Sequence, residues 1–99
     1  MLEELQKIRT AAQLLSVREP ALAEPLLGAC ATIWKQIYEL TAWRADLEAR
    51  ARRVAERVST ADGNVEDAVT AMDSTQAQAV AREIMDFASE FEAKNGALV

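Results

Sequence analysis

Residues 25–58 read PLLGACATIWKQIYELTAWRADLEARARRVAERV, and the fold turns on how this stretch is read. Leu26, Cys30, Ile33, Ile37, Leu40, Arg44, Leu47, Ala51, Val54 and Val58 follow one another at alternating spacings of four and three, the heptad seam of a helix packing along another helix. The spacing predicts one unbroken helix that starts at Pro25, where a missing N–H costs nothing. At 1.5 Å per residue such a helix is about 50 Å long, too long to bury within so short a chain, so its ends are expected to meet a second copy. Ile33, Ile37, Leu40, Arg44 and Leu47 are the expected oligomerisation seam of a homodimer. Arg44 interrupts the apolar run, and a charged residue at such a position sets register or oligomer state at some cost in stability.

The first half of the stretch is more apolar than one seam requires. At 100° per residue, Leu27, Trp34 and Tyr38 lie on one flank while Trp43, Leu47 and Val54 lie on the other, so the two tryptophans point about 180° apart. Either the helix is sandwiched between two others, or one tryptophan is exposed and marks a contact site, since Trp and Tyr are enriched among interface anchors. Trp34, Tyr38 and Trp43 are therefore the candidate partner-binding residues. The second half is charged: Asp46 with Arg50 and Glu48 with Arg52 are acid-first pairs one turn apart, whereas Arg53 and Arg57 have no such neighbour. Those two arginines either bridge to acidic residues elsewhere in the chain or supply charged contacts to a partner.

Around this spine the pattern places shorter helices. Residues 2–15 carry Leu2, Leu5, Ile8, Ala12 and Leu15 on one side, an amphipathic helix with Glu3 and Glu4 in its first turn. Ser16-Val17-Arg18-Glu19 has the form of a capping box, and Glu19-Pro20 and Glu24-Pro25 disfavour helix at the residue before proline, so residues 16–24 are expected to connect. Asp62-Gly63 reverses the chain and Asn64 caps a helix over 64–72. Asp73-Ser74-Thr75-Gln76 resembles a second cap, which favours two helices over one. Ala77, Val80, Ile84, Phe87 and Phe91 then mark a helix over 75–94, the natural antiparallel partner of the spine. The expectation is a single all-α domain over residues 1–99, an antiparallel helical bundle or hairpin with one long central helix and a coiled-coil-like seam.

Composition narrows the function. With 11 basic and 16 acidic residues the net charge is −5, which argues against a general nucleic-acid or membrane-surface binder. The charge is uneven, with six basic and four acidic residues over 28–58 against two and eight over 59–99. A single cysteine, Cys30, cannot form an internal disulfide and reads as a small core residue on the seam; a reducing cytoplasm fits. No apolar run approaches the length of a membrane span or the pattern of a signal peptide.

The absence of histidine excludes mechanisms that need imidazole as base or ligand, and there is no phosphate-cradling glycine loop and no zinc spacing. No cofactor is expected. Glu83-Ile84-Met85-Asp86 is similar to one half of the site of MazG-like nucleotide pyrophosphohydrolases, small all-helical enzymes that hold magnesium with carboxylates from paired helices. The second pair which that resemblance requires is missing, because Glu39 is followed three on by Ala42 and Asp46 by Ala49. The reading is a non-catalytic protein–protein interaction module, such as a small adaptor, assembly chaperone or inhibitor/anti-activator. The alternative is a DNA-associated regulator that uses the basic stretch Arg50, Arg52, Arg53 and Arg57.

Overall fold

The computed structural model describes residues 2–39 and 45–96, with side chains described for 3–35 and 45–93. Among them every regular element is helical: α1 (Leu2–Arg18), a short 3₁₀ turn (Pro20–Leu22), α2 (Ala23–Glu39), α3 (Ala45–Arg57), α4 (Val65–Ala71) and α5 (Ser74–Gly96). The expected straight spine over residues 25–58 is not what forms. Such a helix would measure about 50 Å, whereas the largest dimension of the molecule is 39 Å. Instead α2 and α3 are separate elements that both pack on α1 and on α5.

The hub of the bundle is α1, which touches each of the other four helices. Leu5, Ile8, Ala11, Ala12 and Leu15 are all fully buried, so α1 has an apolar arc wide enough for several neighbours, and its two alanines let them come close. It also runs three residues beyond the expected end. Ser16 does not cap a following helix: its hydroxyl donates back to the Gln13 carbonyl at 2.7 Å, inside the last turn of α1. The helix stops where Pro20 restricts Glu19. The Leu22 amide donates to the Glu19 carbonyl at 2.9 Å, and the chain turns back into α2, which packs along α1. Pro25 is the third residue of α2, still among the first-turn amides that have no intrahelical acceptor.

α3 and α5 are antiparallel, because Arg50 pairs with Glu90 and Arg57 with Glu83, so two turns forward on one helix match two turns back on the other. Between α3 and α4 the Gly63 amide donates to the Thr60 carbonyl at 2.8 Å, with Gly63 at φ +83°, a conformation that glycine adopts without steric cost. Asn64 caps α4: its side-chain oxygen accepts from the Asp67 amide at 2.9 Å. Asp73 and Gln76 cap α5 reciprocally, Asp73 Oδ1 accepting from the Gln76 amide at 2.8 Å and Gln76 Oε1 accepting from the Asp73 amide at 3.1 Å. Asn64→Ala should destabilise the protein by about 1 kcal/mol and lower the melting temperature by about 4–8 °C. Thermal unfolding followed by circular dichroism checks it, and an unchanged midpoint would mean that α4 does not depend on its cap.

The core runs through the whole bundle. Leu26, Ile33, Leu47, Val54, Val58, Val69, Val80, Ile84, Phe87 and Phe91 join the α1 residues in one cluster. Ile33 and Leu47 therefore give their apolar surface to their own chain, where the seam reading had them facing a second copy.

Candidate functional site

α2 is apolar on two sides, and the bundle covers one of them. Leu26, Ala29 and Ile33 face the core. On the opposite side Glu24, Leu27, Gly28, Ala31 and Lys35 are exposed, with Leu27 at 50% accessibility, a large value for leucine on a structured helix. Trp34 lies on the flank of this outward face and is half-buried, packed against the core on one side. The Arg9 guanidinium from α1 sits 4.6 Å from its ring centroid, a cation–π contact. Of the expected anchors Trp34 is the one whose side chain is described, and it lies beside Leu27 and Arg9, the latter a neighbour that no spacing argument on α2 could have found. Tyr38, Ile37, Trp43, Leu40 and Arg44 lie outside the residues whose side chains are described.

Cys30, expected in the core, is at the boundary between α1 and α2. Its thiol is only partly covered and points to the Arg9 carbonyl oxygen at 3.8 Å, a weak sulfur donor contact. Burial pushes the Cys30 thiol above its ordinary range, with the Arg9 charge pulling in the other direction. At neutral pH it is protonated and a poor nucleophile.

The arginine row of α3 faces α5. Arg50 is bound to Glu90 and Arg57 to Glu83 at 2.6 Å, while Arg52 lies 3.7 Å from Glu48 one turn earlier. Arg53 is exposed between these pairs and has no ion pair among the described residues. Arg50, Arg53 and Arg57 line an open groove of about 560 Å³ together with Val54, Glu56 and Glu83. Two of these three arginines are held by Glu90 and Glu83, and Glu56 also lines the groove, which leaves little net positive potential for a phosphate backbone. Glu83, half of the Glu-x-x-Asp pair, is engaged by Arg57, and no group of three metal-ligating side chains occurs among the described residues.

Sequence reasoning also missed Arg18. Its guanidinium donates to the Val69 carbonyl and, at 2.6 Å, to the Met72 carbonyl, closing the C-terminal end of α4 from 51 residues away. Beside it the Ser74 hydroxyl donates to Glu19 at 2.7 Å. Both contacts are between distant parts of the chain, and the local cap patterns in which Arg18 and Ser74 stand give no sign of them. No helix among the described residues is long and apolar enough to cross a membrane. No protein-family model, curated protein or solved structure matches the chain.

Proposed function

We propose that the protein is a non-catalytic protein–protein interaction module, acting as an adaptor, assembly chaperone or inhibitor through the outward face of α2. One observation carries this reading: Leu27 and Trp34 hold apolar surface on the side of α2 that the bundle leaves open, while Leu26, Ala29 and Ile33 complete the core on the other. Exposed apolar side chains scattered singly are ordinary on protein surfaces, but a leucine and a tryptophan two turns apart on one helix, with only small residues between them, form a continuous strip. Trp34 is the natural anchor, because its ring is already oriented by Arg9 and loses little freedom on binding. Arg53, exposed beside two clamped ion pairs, offers a separate charged contact.

Affinity capture from the native host with wild type and Leu27→Glu side by side tests this. Leu27→Glu places a charge on an exposed position and should leave helicity unchanged and stability within about 0.5 kcal/mol of wild type, while the retained partner is lost. Trp34→Ala should lose the same partner. A partner retained equally by Leu27→Glu, or none retained by wild type, would refute the assignment of this face.

A further inference from the structure

Resting on the assignment of α2's outward face as a binding surface, we infer that its first occupant is a second copy of this chain, with the two α2 helices antiparallel across a twofold axis between Gly28 and Ala31. The face has a polarity that suits its own image. Glu24 and Lys35 stand at its two ends, three turns apart, both exposed and neither in an ion pair among the described residues. A twofold axis midway between Gly28 and Ala31 lies equally midway between Glu24 and Lys35. Antiparallel pairing therefore sets each Glu24 opposite the partner copy's lysine, twice per dimer, and a parallel pairing would instead set like charges together.

The centre of the face is built for close approach. Gly28 has an ordinary helical backbone, and a Cβ there would meet nothing within 4 Å. Glycine inside a helix is unfavourable relative to alanine, so nothing among the described residues of this chain calls for it. An opposing helix at that point does. With Gly28 and Ala31 at the crossing, Leu27 and Trp34 flank it, and the twofold carries the Leu27 of one copy toward the Trp34 of the other within about one turn. Arg9 over Trp34 adds a second positive charge at the Lys35 end, toward which the other copy's Glu24 is directed.

Sedimentation of the full chain over a wide concentration range, with charge-swapped variants, decides the matter. Wild type should pass from 10.9 kDa to twice that mass as concentration rises. Glu24→Lys alone and Lys35→Glu alone should each weaken the dimer, by roughly three- to tenfold in Kd, because each single variant faces like charges across both pairs. An equimolar mixture of the two variants should restore the wild-type Kd, since the mixed dimer regains both opposite-charge pairs, and so should the doubly swapped chain. Leu27→Glu should remain at 10.9 kDa with unchanged helicity. Wild type at monomer mass throughout would overturn the second copy as occupant, yet a host partner lost on Leu27→Glu would then still uphold the binding face itself. A dimer indifferent to Leu27→Glu and to the charge swaps would overturn the inference by placing the contact elsewhere, and single variants that weaken without rescue on mixing would overturn the antiparallel geometry.

Discussion

Phe87→Ala is expected to lower stability by about 3–5 kcal/mol, the usual cost of deleting a fully buried phenyl group and leaving a cavity. Phe87 and Phe91 are both wholly inaccessible, one turn apart on α5, with ring centroids 5.7 Å apart and planes tilted by 54°. That tilted arrangement contributes about 0.5–1.5 kcal/mol beyond burial, so removing one ring also weakens what holds the other. α5 packs on α1, α2 and α3, and Phe87 belongs to the buried cluster to which those helices also contribute. A domain of this size has about 5–15 kcal/mol in total, and the loss corresponds to a fall of roughly 15–30 °C in melting temperature. Urea unfolding should show the midpoint falling with an unchanged slope. A loss below about 1 kcal/mol would mean that the rings are not in the close-packed centre described.

The second large effect is expected at Arg18, a residue whose backbone belongs to α1 and whose side chain belongs to the end of α4. α4 has seven residues, too few to be stable as an isolated helix. Its final carbonyls run short of backbone donors, Val69 accepting from the Met72 amide at 3.2 Å, and its C-terminal end carries partial negative charge. The Arg18 guanidinium answers both needs by donating to the carbonyls of Val69 and Met72. Arg18→Met keeps much of the stem and removes the donors. Because the side chain is largely exposed, the expected loss is about 1–2 kcal/mol, the lower part of the range for hydrogen bonds to charged groups. Hydrogen exchange should show the α4 amides losing protection beyond the global loss measured on α5. Arg18→Lys should rescue little, since one ammonium does not reproduce the planar fork that spans two carbonyls. Equal loss of protection across α4 and α5 would show that Arg18 supports the whole bundle without a special part in closing α4.

Together these residues show where the chain could be read and where it could not. The cap at Asn64 and the reciprocal cap of Asp73 with Gln76 are visible in sequence because a cap acts on an amide three residues away. The break between α4 and α5 follows from the second of them. The outward strip of α2 was legible as an excess, since Leu27 and Trp34 lay off the line of Leu26 and Ile33, though its being uncovered was not. The central position of α1 was hidden: its pattern is that of an ordinary amphipathic helix, and Ala11 and Ala12, which widen its buried arc, carry little hydrophobic signal of their own. The fate of the arginines was hidden as well, because Arg57 looked unpartnered within its own helix and finds Glu83 on α5.

The sequence by itself determined an all-helical chain, the faces each helix would want to bury, and the caps that begin α4 and α5. All of these depend on interactions within one or two turns, where backbone geometry is the same in any fold. Only the tertiary structure decided that the 25–58 stretch would not run straight, that α1 would be the hub, that Ile33 and Leu47 would be satisfied within the chain, and that Leu27 would stay outside. Periodicity reports that a face is apolar and is silent on what covers it. Covering depends on how several faces of different width share a limited number of partners, a balance that no single helix encodes.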